Sequence, residues 1–325
     1  MEELLTGLRA IAEGTRLRLL FVLSHGEFNV SELTQILGQS QPRISRHLKL
    51  MVEAGLLSRY KEGSWVLFRL NDQGVEGALA RAVMGLLPGG DGQLAGDAAR
   101  LAEIRRQRAE LAADYFRANA ENWENLRSFH VSERDVEAAL LRLAGPENLG
   151  CLVDLGTGTG SILKLLAGKA TQAIGVDSSR EMLSVARSAL EASSNPNAQV
   201  RLGDIFALPL ARASADFVTI HQVLHYLDDP ARALVEAARI LRPDGRIVIV
   251  DFAPHEMEAL REQHAHRRLG ISHDHMMEWL ERAGLGLIHH ETLPPPDAAG
   301  LTVSIWLAGR IGERQAGRKV GGARS

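Results

Sequence analysis

Cysteine is nearly absent from this chain. One residue of 325, Cys151, rules out any disulfide within the chain and with it the small cross-linked secreted classes. Long apolar runs are missing too: none approaches the ~18 residues that a membrane helix needs. The N-terminus, MEELLTGLRA, is acidic and amphipathic where a secretory signal would be basic and then apolar. Charge nearly cancels, with 37 basic and 40 acidic residues leaving −3. These absences point to a soluble cytoplasmic protein that contacts no membrane. Its length suggests two domains, at about 100–200 residues each.

Residues 1–72 read as four helices and a hairpin. Leu4, Leu5, Leu8 and Ile11, then Leu17, Leu19, Leu20, Val22 and Leu23, repeat at helical spacing on either side of Gly14-Thr15. Asn29 to Leu37 gives a third helix, stopped at Gly38. Ser40-Gln41-Pro42 opens a fourth, with serine at a capping position and proline in the first turn. In that helix Ile44, Leu48 and Met51 or Val52 face a core. Gln41, Arg43, Ser45, Arg46, His47 and Lys49 are left on or near the exposed side. Leu56–Tyr60 and Trp65–Leu70 alternate as strands, and their hairpin carries Arg59 and Lys61 near its tip. Between positions 40 and 61 five basic residues face one acid, Glu53. A local positive excess in an acidic chain is what phosphate contacts require. Helix, turn, helix and basic hairpin follow the winged helix-turn-helix plan.

Gly14-Thr15-Arg16-Leu17-Arg18-Leu19-Leu20, Ser31-Glu32-Leu33, Ser40-Gln41-Pro42, Ser45-Arg46-His47-Leu48 and Gly55-Leu56-Leu57 resemble the ArsR family of winged-helix repressors. The resemblance implies a homodimer that binds double-stranded DNA. Two departures bear on metals. Phe28-Asn29-Val30-Ser31 holds no cysteine where arsenic sensors place a pair, and residues 75–87 hold no histidine for a zinc site. No metal is expected there.

Residues 73–133 read as a helical connector and cap. Val75–Leu87 is a helix, Pro88-Gly89-Gly90-Asp91-Gly92 reads as the break between domains, and Ala98 to Tyr115 is a charge-laced, solvated helix. Tyr115, Phe116, Trp123, Leu126 and Phe129 then form an aromatic and apolar cluster.

From 134 to 310 strands alternate with helices, which argues for a parallel sheet. Val153-Asp154-Leu155-Gly156-Thr157-Gly158-Thr159-Gly160 is a buried strand, a glycine turn and the start of a helix near Ser161. Glycines let the backbone approach a ligand, and the helix start offers free N–H groups. The dinucleotide fingerprint wants a third glycine where Ser161 stands, and Asp154 would repel a pyrophosphate. A second strand, Gln172–Val176, ends at Asp177, placed to accept ribose hydroxyls, and Met182 follows on a helix able to pack a ring. A third, Gln199–Leu202, leads to Gly203-Asp204-Ile205, where an aspartate can accept from an amino group. A fourth, Asp216–Ile220, leads to His221 and His225, and Leu241-Arg242-Pro243-Asp244-Gly245 turns into a fifth, Arg246–Asp251. Leu285–Glu291 and Leu301–Leu307 read as a terminal hairpin.

Together these positions closely resemble class I S-adenosylmethionine (SAM) methyltransferases of the small-molecule, ubiquinone-biosynthesis type. The resemblance implies a Rossmann-like α/β domain. Asp154, Gly156 and Gly158 would hold the methionine end, Asp177 the ribose, and Asp204 and Ile205 the adenine, with Thr157, Gly160, Ser178, Met182 and Gly203 also at the cofactor and His221 beside the methyl donor. The Asn-Pro-Pro-Tyr type of motif used on DNA adenine is missing after the fourth strand, and one thiol is too few for arsenite methylation. A general base is needed only for a protonated acceptor, and His221 and His225 are the candidates. His255, His264, His266, His273 and His275 crowd one stretch that could line a substrate mouth or hold a metal, but ordinary solvated surface is the simpler reading and no metal is expected. The tail, 311–325, rich in Arg and Gly, reads as disordered. Three functions follow: a DNA-binding regulator whose second domain methylates a small molecule, a regulator that only senses SAM or S-adenosylhomocysteine (SAH), or, on weaker grounds, a nicotinamide-dependent oxidoreductase.

Overall fold

The computed structural model describes residues 1–62, 64–71, 74–120, 123, 132–193, 195–295 and 300–311. The hairpin tip at Gly63, the apolar residues Leu126 and Phe129, and residues 312–325 of the tail lie outside them. The chain divides into two compact units, Met1–Leu111 and Ala112–Ser325. Among the described residues no helix is long and apolar enough to cross a membrane.

The first unit contains α1 (Glu2–Ile11), α2 (Gly14–Leu23), β1 (Phe28–Asn29), α3 (Val30–Leu37), α4 (Gln41–Glu53), β2 (Leu57–Glu62), β3 (Trp65–Leu70), α5 (Gly74–Leu86) and most of α6 (Gly92–Asn119). Its three strands are ordered β1-β3-β2, all antiparallel. A capping box starts α3: the Asn29 side chain accepts from the Glu32 N–H at 3.0 Å, and Glu32 accepts from the Asn29 N–H at 3.1 Å. Gly38 ends that helix in the left-handed region, φ 64°. Ile44, Leu48 and Met51 of α4 are buried with Leu19, Leu20, Leu33 and Ile36, so the predicted apolar stripe is the real one.

Helix α6 departs from the expected solvated connector. Leu101 joins the first core, and Asp97 is fully buried. Arg18 Nε reaches an Asp97 oxygen at 2.6 Å, and Arg100 Nη2 reaches the other, also at 2.6 Å. Arg18 Nη2 donates as well to the Leu37 carbonyl at 2.7 Å, and Arg108 pairs with Glu32. Bonding to Asp97 pushes the Arg18 pKa further up. These long-range pairs are why the unit runs on to Leu111, past the Pro88–Gly92 break.

The second unit holds the end of α6, then α7 (Glu133–Ala144), β4 (Cys151–Leu155), α8 (Ser161–Ala167), β5 (Gln172–Asp177), α9 (Arg180–Ala192), β6 (Ala198–Leu202) and β7 (Ala215–His221). A 3₁₀ turn (Leu224–Tyr226), α10 (Pro230–Ile240), β8 (Leu241–Phe252), α11 (Glu258–Gln263), α12 (His273–Arg282), β9 (Leu285–Leu293) and β10 (Val303–Arg310) complete it. The seven strands are ordered β6-β5-β4-β7-β8-β10-β9, with only β10 antiparallel to its neighbours. Alternate residues feed two cores on opposite faces of the sheet. Leu152, Phe217, Val248 and Val250 pack with α7 and α8, while Val153, Val218, Ile247 and Ile249 pack with α10 and α12. The expected turn at Leu241–Gly245 lies inside β8: Leu241 pairs with Ala215 and Arg246 with Phe217, so the residues between them loop out as a bulge. Strand order reverses between β4 and β7, and in such sheets ligands bind at the carboxyl ends of the strands at that switch.

Asp97→Ala would strand Arg18, whose side chain is 12% exposed, beside an empty site. We expect the first unit to lose about 3 kcal/mol, the lower end for breaking a buried pair because Arg100 can turn to solvent. Urea unfolding of the full chain measures it. A loss below about 1 kcal/mol, the scale of a surface pair, would show that Asp97 does not fasten α6.

Candidate functional site

On the first unit, Gln41, Arg43, Ser45, Arg46 and Lys49 are exposed along α4, and Arg59 and Lys61 are exposed on β2. His47 does not share that face. It lies three residues past Ile44 and four before Met51, so the helical turn rotates it inward. The ring is half-buried with Nδ1 3.7 Å from Glu13 Oε2, and burial pushes its pKa down. Arg43 leans toward the same place, 3.4 Å from the Thr15 hydroxyl.

In the second unit the glycine turn lies at the switch between β4 and β7. Asp154 is 2% exposed, and both its oxygens accept hydroxyls at 2.6 Å, one from Thr157 in the turn and one from Thr219 on β7. The expected ligand carboxylate is thus a bolt between turn and neighbouring strand. Gly156 has φ +69°, and a Cβ there would come within 2.4 Å of Val223 Cγ2. Gly158, φ +53°, has its nearest atom at Trp123 Nε1, 3.7 Å from where a Cβ would be, an ordinary contact with the indole. Asp177 ends β5 and accepts the Gly158 and Ser179 N–H groups, both at 2.8 Å. Burial raises its pKa from the ordinary value, against the lowering pull of those N–H groups.

Other expected contacts separate. Gly203 donates its N–H to the Asp177 carbonyl at 2.9 Å, close behind β5. Asp204 is exposed and accepts from the Phe206 N–H at 2.9 Å, while Ile205 is half-buried. Thr157 and Gly160 are buried within the turn, and Ser178 is exposed beside Asp177. Met182 does not fit its expected role. It is 2% exposed because the period of α9 turns it into the domain, where it offers no surface to a ring.

His221 ends β7, half-buried and in register with Val250. The next residue, Gln222, holds φ +54° without being glycine, which nothing in the sequence signalled. Its N–H donates to the Val250 carbonyl at 2.7 Å, which keeps the turn in that strained form. His225 is 1% exposed, with Nδ1 2.6 Å from Oδ1 of the fully buried Asp251 at the end of β8. Tyr226 follows, its hydroxyl pKa pushed well up by burial. Its ring meets Phe116 at 4.8 Å, and Phe116 meets Trp123 at 5.4 Å. The Tyr115 hydroxyl lies 2.7 Å from His264 Nδ1.

The crowded histidines part company. His266 lies against His225 with ring centroids 4.2 Å apart, whereas His273 lies tilted against His290 at 4.5 Å and meets Trp306. His255 accepts from the Met257 N–H, and His275 stacks on Trp279. Among the described residues no cluster of three His, Cys, Asp or Glu side chains is arranged to hold a metal.

A winged helix and a seven-stranded sheet of this order, with a glycine turn at its switch point, define a DNA-binding regulator joined to a class I methyltransferase domain. Residues 13–59 match the model of the bacterial regulatory protein arsR family, and residues 153–249 match the methyltransferase domain. The chain is 39% identical over 108 residues to an arsenic resistance transcriptional regulator of Pseudomonas putida, covering 32% of this chain and 84% of that one. It belongs to the ArsR family and carries a methyltransferase domain. An uncharacterised methyltransferase of Mycobacterium bovis is 40% identical over 99 residues, 30% of this chain and 38% of that protein. The YcgJ protein of Bacillus subtilis overlays with a TM-score of 0.47 at 20% identity, covering 55% of this chain and all of that one. The chain spans 28% to 38% of the length of several curated relatives that it matches. The methyltransferase match sets aside the oxidoreductase reading.

The site fits SAM. Its acids suit a cationic sulfonium and would repel a pyrophosphate, and the Asp177 carboxylate is held against the Gly158 N–H of the glycine turn, beside the Trp123 indole.

Gly156→Ala adds left-handed strain and a clash with Val223. We expect it to cost on the order of 1–3 kcal/mol in stability. A thermal melt of the second unit's transition, unchanged from the parent chain, would show that the turn relaxes freely.

Proposed function

We propose that this chain is a dimeric DNA-binding regulator whose second unit transfers a methyl group from SAM to a small-molecule acceptor in the cytoplasm. DNA binding falls to residues 1–72, the connector and cap to 73–133, and methyl transfer to 134–310. The observation that carries the reading is the turn at Gly156 and Gly158 tied to Asp177 at the switch point. When bound there, SAM supplies an activated methyl on a sulfonium. Gly156, Thr157, Gly158 and Gly160 hold the methionine end, and Asp154 keeps their turn closed against Thr219. Asp177 accepts the ribose hydroxyls beside Ser178, while Asp204 and Ile205 border the adenine. His221 and His225 stand on the acceptor side, and the Tyr115, Phe116, Trp123 and Tyr226 rings exclude water, which such an in-line transfer needs.

On the first unit, Gln41, Arg43, Ser45, Arg46 and Lys49 would enter a major groove, and Arg59 and Lys61 would meet phosphate. Dimerisation is supported by a row of exposed apolar residues on α1: Leu4, Leu5 and Leu8, 36–43% exposed.

A second reading, SAM or SAH as a signal only, is favoured by how fully the acceptor side is occupied by the chain itself. His225, His266 and Arg268 are 1%, 6% and 8% exposed there. DNA affinity at fixed salt with no ligand, SAM or SAH separates the two, since a ligand-linked change requires coupling.

Asp177→Ala should weaken SAM binding by about 1–3 kcal/mol, the range for hydrogen bonds to a charged group. Unchanged affinity in calorimetry would refute the ribose assignment. Arg46→Ala should weaken DNA binding across sequences and reduce the salt slope by about one. An unaltered gel shift would remove α4 as the recognition helix.

A further inference from the structure

We propose that Asp251 is a positioning residue that holds His225 with Nε2 as a proton acceptor, and that the methyl acceptor is therefore a neutral O–H, N–H or S–H compound on an apolar, aromatic body. The inference deepens the methyl-transfer reading and rests on it.

Hydrogen bonding assigns the tautomer. Asp251 Oδ1 lies 2.6 Å from His225 Nδ1, and the same oxygen accepts from the Phe252 N–H at 2.8 Å. Asp251 Oδ2 accepts from the backbone N–H of His225 at 3.3 Å. An ionised carboxylate only accepts, so the proton sits on Nδ1 and a neutral ring keeps its lone pair on Nε2. Nε2 is buried, and among the described residues it has no hydrogen-bond partner.

The ring is held firmly. The His225 carbonyl takes the N–H groups of Arg267 and Arg268, at 2.9 and 3.1 Å. Tyr226, Phe252 and His266 surround the imidazole at 4.1, 5.1 and 4.2 Å between centroids. The titratable groups that face it are Asp251 from β8, Tyr226 from its own turn and His266 from the segment after α11. Only Asp251 among them is bonded to the ring.

An acceptor that is already anionic needs no base, whereas a neutral protic one does. As the acceptor heteroatom forms its bond to the methyl carbon, its proton passes to His225 Nε2. The carbon–sulfur bond breaks with its electron pair left on sulfur, so the sulfonium departs as the neutral thioether of SAH. The imidazolium is then balanced by Asp251. The rings of Phe116, Trp123 and Tyr226 close on the same region, which favours an apolar, aromatic body over a sugar or a phosphate.

The full chain, labelled with ¹⁵N in its histidine rings and saturated with SAH, tests this by NMR, with His225→Gln used to assign the signals. We expect a proton-bearing Nδ1 and an unprotonated Nε2 at neutral pH, and mixed tautomers in Asp251→Ala. Catechol should move the Nε2 signal, while its dimethyl ether, which has no O–H, should not. A protonated Nε2, or equal responses to the two probes, overturns the proposal. If Asp251→Ala does not fold, the tautomer in the parent chain still decides. SAH calorimetry on the same sample keeps the two readings apart. SAH that does not bind defeats the methyltransferase site, whereas SAH that binds beside a protonated Nε2 defeats the dyad alone.

Discussion

A carboxylate in the middle of a parallel sheet is the constraint around which the second unit is arranged. Asp154 has almost no contact with water, and an uncompensated buried charge would shift its pKa or unfold its surroundings. Two threonine hydroxyls meet it, one from the turn that follows and one from the next strand. The bond to Thr157 fixes where the turn begins, and the bond to Thr219 fixes how β4 and β7 end together. Gly158 can therefore present its N–H to Asp177. The shape of the glycine turn and its tie to β5 follow from one satisfied carboxylate.

A second buried carboxylate, Asp251, does similar work two strands away. Its oxygens collect the Phe252 and His225 backbone N–H groups and the His225 ring. Each acid is the last residue but one of its strand, near the carboxyl edge of the sheet, where its side chain bonds the segment that follows a strand. Gln222, held with positive φ between them, shows the backbone strain that such packing sustains.

Local features were legible in the sequence, and long-range pairs were not. The glycine turn, the proline in the first turn of α4 and the acid at the end of β5 are signalled within a few residues of where they act, whereas Ser40 stands at the N-cap without a side-chain capping bond. Thr219 lies 65 residues from Asp154, and Asp251 26 from His225, so no spacing rule couples them. Helix α6 fails for the same reason. Its alternating charges read as solvated i,i+4 pairs, and Arg106 with Glu103 and Glu110 is such a case, but Asp97 and Arg108 turn to α2 and α3 instead. Periodicity misplaces His47, which stands at the border of a helical face where a rotation of a few tens of degrees decides exposure. The expectation for Met182 follows from its place after β5, which says nothing of the way the helix turns it.

A buried acceptor without a partner among the described residues bears on whether the second unit turns over. Leaving a polar atom such as His225 Nε2 unsatisfied costs about 1–3 kcal/mol, a large share of the marginal stability of a domain. A unit that only senses SAM needs its turn and its ribose acid, and neither requires an imidazole fixed in one tautomer with an idle lone pair. A sensor would be more stable with an apolar residue at position 225. A nitrogen left open beside a fixed carboxylate is what proton removal requires, and it is the one feature of the unit that a sensing role does not call for.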